Sequence, residues 1–141
     1  MQADAATRAE VVSALKNMTQ AYVDRDIDGF MACFVPDNDV ILYGTGADEK
    51  RVGRAEVKAQ AERDWAQTDA VELAFNEPAV SAAGPVAWVA MDGDFKGRMG
   101  SDSFSMPVRV SLVLENRGGD WLIAHSHFST PMADQEEGSS F

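Results

Sequence analysis

The chain has 141 residues, of which 45% are hydrophobic and 25% charged, and this composition is typical of one globular domain with its own core. Twelve basic and 23 acidic side chains give a net charge of -11, which argues against nucleic acid and anionic membranes as partners. No apolar run approaches the roughly 20 residues of a membrane span, no signal peptide is apparent and the single Cys33 excludes an internal disulfide, so we expect a cytoplasmic protein.

The chain begins with a long helical pattern. Apolar residues recur at helical spacing over roughly 5–24, which predicts a helix long enough to cover a sheet. Two N-caps compete for its start: Asp4 alone, or a capping box formed by Thr7 and Glu10.

Two shorter helices follow. Asp26 can cap the first of them, and Pro36 ends it. Residues 40–43 form a short buried strand, a loop spans 44–50, and a third helix is predicted at 54–65.

The second half of the chain alternates as β-strands do. Strands are predicted at 71–76, 86–91, 104–115 and 121–131. The polar stretch 92–103 is interpreted as a loop or hairpin tip, and 116–120 as a turn. Helices followed by antiparallel strands predict an α+β fold in which a long N-terminal helix and two shorter helices pack on one face of a curved sheet. We expect a single domain at 5–131, followed by a flexible acidic tail at 132–141.

The last two strands allow a register to be proposed. If Val113 pairs with Ile123, then Ser111 pairs with His125 and Arg109 with His127. One face would then carry Arg109, Ser111, Val113, Trp121, Ile123, His125 and His127. This mixture of aromatic, aliphatic and charged groups is typical of a ligand pocket.

The opposite face of this hairpin would be almost wholly apolar. A sheet face that no helix covers should be polar unless something else covers it. A second copy of the chain is the simplest cover, and a loop or the tail is the alternative. We therefore predict a homodimer through the convex sheet face, formed by Val110, Leu112, Leu114, Leu122 and Ala124.

Several segments resemble the SnoaL-like branch of the nuclear transport factor 2-like superfamily. They are the first two helices, the stretch Val40-Ile41-Leu42-Tyr43-Gly44-Thr45-Gly46-Ala47-Asp48-Glu49, the strand Arg109-Val110-Ser111-Leu112-Val113 and the strand Trp121-Leu122-Ile123-Ala124-His125-Ser126-His127-Phe128-Ser129. The family often has Thr where this chain has Ser111, and both keep a hydroxyl. The resemblance covers about 5–131 and implies a cone-shaped α+β barrel, a cavity between the long helix and the concave sheet, and dimers.

The two histidines are the first candidates for chemistry. Imidazole titrates near neutral pH, so His125 and His127 are predicted as general acid or base residues. Arg109 beside them could hold a substrate carboxylate or stabilise an enolate. Ligand binding without chemistry and a structural polar network are the alternatives. A metal site would need a third ligand; there is no third His, and Asp92 or Glu72 could serve only without support from their spacing, so we predict no metal. We predict no cofactor either.

Aromatic residues are expected to wall the cavity, although each could also be ordinary core. The predicted substrate-binding residues are Arg109, Ser111, Tyr22, Tyr43, Trp65, Trp88 and Trp121. The expected ligand is small and apolar or aromatic, and Arg109 would suit a carboxylate on it. The resemblance implies isomerase, cyclase or dehydratase chemistry without a cofactor if the protein is an enzyme. The alternative function is an association module with a vestigial pocket.

Overall fold

Three helices and seven strands make up the computed structural model, which describes residues 1–141. The helices are α1 (Ala5–Val23), α2 (Ile27–Ala32) and α3 (Arg54–Ala66). Asp4 caps α1, because its carboxylate accepts the backbone N–H of Thr7 at 2.8 Å. The helix therefore begins at the Asp4 cap and not at the capping box of Thr7 and Glu10.

The strands are β1 (Ile41–Tyr43), β2 (Lys50–Val52), β3 (Ala70–Phe75), β4 (Ala79–Ala83), β5 (Val86–Met99), β6 (Asp102–Arg117) and β7 (Asp120–Ser129). They form one sheet in the order β2-β1-β7-β6-β5-β3, with β4 also paired to β5. Only β1 and β7 run parallel; the other pairs are antiparallel. The predicted α+β class and the curved mixed sheet under three helices are confirmed.

The stretch predicted as a loop at 92–103 is instead the far half of a long hairpin. β5 and β6 stay paired from Val86–Glu115 out to Met99–Asp102. The polar residues that suggested a loop lie on the solvent side of these strands and alternate with inward-facing Phe95. The edge strands β2 and β4 were not predicted, because they are short and lack clear alternation.

The last hairpin has a different register from the one predicted. Gly118 and Gly119 both have positive φ, at 65° and 102°, and form a two-residue turn between the paired residues Arg117 and Asp120. Further along, a β-bulge inserts Ala124 as an extra residue of β7, since Leu114 pairs with Ile123 but Val113 pairs with His125. Ser111 therefore pairs with His127, and Arg109 with Ser129.

The bulge changes which face each residue of β7 occupies. Trp121 and Ile123 are buried on the inner face, toward the helices. Beyond Ala124 the alternation restarts one residue later, so Ser126 and Phe128 point inward while His125 and His127 point outward. The single inward face that was predicted to hold both the tryptophan and the histidines is therefore split between the two sides of the sheet.

The apolar face of β6 is the inner wall of the protein and not an exposed convex surface. Val110, Leu112 and Leu114 are each at most 3% exposed within the single chain and belong to the core under the helices. Leu122 and Ala124 are half-buried and pack against that core. Three of the five residues predicted for the dimer interface, Val110, Leu112 and Leu114, therefore face the core of their own chain, whereas Leu122 pairs with Glu115 on the other side of the sheet. The dimer itself stays a prediction.

None of the three helices is both long and apolar enough to cross a membrane. Residues 132–141 contain no helix or strand.

Candidate functional site

A cavity of about 320 Å³ lies between the helices and the inner face of the sheet. Sixteen of its 24 lining residues are hydrophobic. They include Met18 from α1, Phe30 from α2, Val57 and Ala61 from α3, and Phe95, Leu112, Ile123 and Phe128 from the sheet. This volume is at the small end of the range of about 300–1,000 Å³ found for ligand pockets.

Aromatic rings form the helical side of this cavity. The ring of Tyr22 lies 5.7 Å from that of Phe30 and 5.7 Å from that of Trp65 between centroids. Phe30 in turn contacts Phe34 edge-on at 5.1 Å. Such tilted pairs are a favourable geometry for aromatic rings, so these contacts stabilise the wall.

A polar cluster interrupts the apolar lining where α1, α3 and the loop after β1 meet. The Tyr22 hydroxyl donates to Asp64 Oδ2 at 2.8 Å. Gln60 Nε2 donates to Asp64 Oδ1 at 2.7 Å and to Glu49 Oε1 at 3.2 Å. Arg51 Nε donates to Gln60 Oε1 at 2.7 Å, so the amide of this buried glutamine is satisfied on both sides.

The surroundings of this cluster favour the protonated form of Asp64. Burial raises the pKa of Asp64, and the nearby charge of Glu49 adds to that effect, while hydrogen bonds from Tyr22 and Gln60 oppose it. Burial and the Asp64 charge also raise the pKa of the Tyr22 hydroxyl. A carboxyl whose proton is held more tightly than usual can act as a general acid or base closer to neutral pH.

The loop after β1 holds Glu49 beside this cluster. The Gly46 N–H donates to Glu49 Oε2 at 2.9 Å, and Arg63 donates to Glu49 Oε1 at 2.8 Å. A Cβ on Gly44 would lie 2.2 Å from Glu49 Oε2, so only glycine leaves room for the folded-back carboxylate.

The predicted site residues of the last hairpin lie on the opposite, outer face of the sheet. His127 lies between Ser111 and Tyr43 in the pairing, with its ring 5.3 Å from that of Tyr43. His125 lies between Val113 of β6 and β1, 6.3 Å from the Tyr43 ring. These side chains share the outer face in a different pairing from the one predicted, and none of them lines the cavity.

The remaining predicted residues also lie mostly outside the cavity. Arg109 is exposed on the outer face, and Trp88 there is 39% exposed. Trp121 is buried and its Nε1 donates to Glu10 at 3.0 Å, while Trp65 packs behind Tyr22 without lining the cavity. Of the nine residues predicted for the site, Tyr22 alone lines the cavity. Whether the nine take part in binding or catalysis stays a prediction that the structure does not test.

The residues that sequence reasoning missed are Asp64, Gln60, Glu49 and Ser126. Gln60 and Asp64 follow Val57 at helical spacing, on the stripe of α3 that also carries Ala61. Polar residues on the apolar stripe of a helix were the signal that could have found them. No group of three or more His, Cys, Asp or Glu side chains is placed to hold a metal ion.

Comparisons with known proteins agree with this architecture. The sequence profile of the SnoaL-like domain family matches residues 11–133. No curated protein shows significant sequence similarity to the chain.

Solved structures match over nearly the whole chain at low sequence identity, and therefore show the fold alone. A nuclear transport factor 2-like superfamily protein from Salmonella enterica shares 16% identity and a TM-score of 0.84, with 97% of this chain and 99% of that chain covered. A candidate dehydratase of the same family from Streptomyces avermitilis shares 18% identity and a TM-score of 0.83, with coverages of 91% and 98%. A candidate calcium/calmodulin-dependent protein kinase II association domain from Xanthomonas campestris shares 21% identity and a TM-score of 0.77, with coverages of 89% and 88%.

Proposed function

The chain belongs to the SnoaL-like domain family, and we propose that it binds a small, mainly apolar molecule in the cavity between its helices and its sheet. The observation that carries this proposal is the apolar cavity of about 320 Å³ with one cluster of polar groups in its wall. A few polar groups in an apolar pocket orient a ligand, while the apolar surface supplies most of the binding free energy.

Binding can be tested with a neutral apolar fluorophore, N-phenyl-1-naphthylamine. Met106 lines the cavity, so Met106→Trp should fill part of it and weaken the binding of this dye. Met132, which is 72% exposed in the tail, offers the matched control Met132→Trp, which should bind like the unmodified protein. Equal binding by both variants, with both folded by circular dichroism, would contradict the proposal.

We further propose that Asp64 transfers a proton to or from the bound molecule, with Tyr22 positioning its carboxyl. This is cofactor-independent chemistry of the isomerase or lyase class, to which the dehydratase-like relative also points. The carrying observation is a half-buried carboxyl of raised pKa in the cavity wall, hydrogen-bonded to a phenol. The histidines were the predicted bases, but a base must reach the proton it removes, and His125 and His127 lie across the sheet from the cavity.

Proton transfer can be tested without the natural substrate. The ketone 2-tetralone is uncharged and exchanges its α-hydrogens in D₂O, which proton NMR follows. The protein should accelerate this exchange, and Asp64→Asn should lose most of the acceleration, whereas His127→Ala should keep it. Acceleration that survives Asp64→Asn but not His127→Ala would restore the histidine assignment.

The homodimer also stays a proposal, now through the outer face of the sheet. Trp88, Val113 and Ile41 lie on that face in one cross-strand row with His125. Arg109 and Asp92 pair across β5 and β6 on the same face, so two copies related by a two-fold axis could bring opposite charges together. An association module would use the same surface, and the dye experiment separates the two functions because a module with a vestigial pocket would not bind the dye in the cavity.

A further inference from the structure

One hydroxyl stands alone in the sheet wall of the cavity. Ser126 lies on β7 opposite Leu42 of β1 and Leu112 of β6, and all three line the cavity. The residue is 1% exposed, and its Oγ is buried without a hydrogen-bond partner. The inward neighbours along β7 are Ile123 and Phe128, so this hydroxyl is a single polar atom in an apolar wall.

An unpartnered hydroxyl is an unfavourable choice for such a position. A buried polar group without a hydrogen bond is destabilising, and alanine or valine would fit an apolar sheet wall without that penalty. Ser126 caps no helix and forms no turn, since it lies in the middle of a central strand. Its hydroxyl is therefore free to bond to whatever occupies the cavity.

The charges around the cavity limit what that occupant can be. Glu49 and Asp64 are the charged residues in the lining, and no Arg, Lys or His is among them. An anionic ligand would meet carboxylates at the cavity surface, while the nearby Arg63 is already bound to Asp48 and Glu49. The carboxylate-bearing ligand expected from the sequence depended on Arg109, which lies on the outer face.

We infer that Ser126 is a ligand-binding residue and that the ligand is an uncharged, mainly apolar molecule with two oxygen functions. One oxygen bonds to Ser126 on the sheet wall, and the other to the Tyr22–Asp64 pair on the helical wall. This inference rests on the proposed binding function. It adds the chemical class of the ligand and names the residue that selects it.

The test compares four probes of one ring system on the full chain by isothermal titration calorimetry: naphthalene, 2-naphthol, 2,6-dihydroxynaphthalene and 2-naphthoate. We expect the dihydroxy compound to bind most tightly and the anionic naphthoate to bind at least about tenfold more weakly than 2-naphthol. Ser126→Ala should weaken binding of the dihydroxy compound about fivefold, which is the usual effect of one neutral hydrogen bond, and should leave naphthalene binding unchanged.

A matched variant and a second readout keep the test decisive. Ser129→Ala changes the same side chain on the same strand, opposite Arg109 on the outer face, and should bind all four probes like the unmodified protein. Without ligand, Ser126→Ala should melt at the same temperature or higher, because it removes an unpartnered polar atom.

The contrary outcomes separate the two proposals. If no probe binds, naphthalene included, the proposed binding function fails and this inference fails with it. If naphthalene and 2-naphthol bind but Ser126→Ala weakens both equally, or weakens neither dihydroxynaphthalene nor 2-naphthol, the cavity binds ligands and the Ser126 assignment is wrong. A lower melting temperature of ligand-free Ser126→Ala would show that the hydroxyl has a structural role instead.

Discussion

The Tyr22 hydroxyl lies 2.8 Å from Asp64 Oδ2 and joins α1 to α3 across 42 positions of the sequence. It supplies one of the two hydrogen bonds that this carboxylate receives inside the protein, the other coming from Gln60. A buried carboxylate without such donors would be strongly disfavoured. The bond therefore ties the aromatic wall of the cavity to the half-buried acid Asp64.

Removal of the Asp64 carboxylate should change how stability depends on pH. The folded-state pKa of Asp64 is above the usual value of 3.8, so the folded chain binds its proton more tightly than the unfolded chain does. Ionisation of Asp64 therefore lowers the free energy of unfolding as pH rises from 3.8 through the folded-state pKa. Above the folded-state pKa this destabilisation no longer changes with pH. We expect the melting temperature of Asp64→Asn, relative to the unmodified protein, to increase over this window.

Asp48 provides a control of opposite sign. Hydrogen bonding and charge from Arg63 hold the pKa of Asp48 below 3.8, so its ionised form favours the folded state. The stability that it contributes is present above 3.8 and is lost as pH falls through the folded-state pKa. The melting temperature of Asp48→Asn, relative to that of the unmodified protein, should therefore decrease as pH rises toward 3.8. The same pH trend for both variants would contradict the assignment.

Tyr22→Phe should raise the pKa of Asp64 further. The substitution keeps the ring against Phe30 and Trp65 but removes a hydrogen bond that favours the ionised carboxylate. Carbon-13 NMR of the Asp64 carboxyl as a function of pH measures this directly. Tyr43→Phe, on the outer face, serves as the control and should leave the pKa of Asp64 unchanged. A lowered pKa of Asp64 in Tyr22→Phe would exclude the hydroxyl as donor.

Two glycines of β5 should respond differently to the same substitution. A Cβ on Gly93 would lie 2.2 Å from the backbone oxygen of Ala74, and neither strand can move without breaking the β3–β5 pairing. A Cβ on Gly97 would lie 2.3 Å from the Phe104 ring, which can rotate away. We expect Gly93→Ala to lower the free energy of unfolding by about 1–3 kcal/mol and Gly97→Ala to lower it by less. Chemical denaturation of both variants decides the order, and a reversed order would contradict the argument.

Deletion of Ala124 should prevent folding. Without the extra residue, either His125 and His127 would turn toward the core or Trp121 and Ile123 would turn away from it. Either choice exchanges buried apolar side chains for polar ones. Circular dichroism and a melting curve should show no cooperative transition, whereas deletion of exposed Ala133 should leave folding intact. A folded, cooperative Ala124 deletion would mean that the bulge is dispensable.

Trp88→Asp should make the protein monomeric if the outer face forms the homodimer. Trp88 is 39% exposed in the single chain, and an unpaired carboxylate there would be costly to bury between two copies. Sedimentation velocity should show a dimer for the unmodified protein and a monomer for the variant. Met99→Asp, at a residue 48% exposed on the hairpin far from the row of Trp88, should remain dimeric. If the unmodified protein is itself monomeric, the dimer proposal is wrong.

Local sequence patterns determined the three helices, the main strands and the α+β class, because helix caps and apolar periodicity act over a few neighbouring residues. They also led to the SnoaL-like family, whose profile covers 11–133. The two-residue turn at Gly118 and Gly119 could have been predicted from the sequence, since two adjacent glycines favour positive φ.

The tertiary structure alone decided which residues line the cavity. The Ala124 bulge determines which side of the sheet His125 faces. This bulge lies where the neighbour of β7 changes: Ile123 bridges to Phe34, whereas His125 pairs with β1. A strand's alternation cannot show such a change, because one inserted residue reverses every later side chain. The cluster of Tyr22, Glu49, Gln60 and Asp64 comes from two helices and a loop, and only their packing brings these side chains within hydrogen-bonding distance.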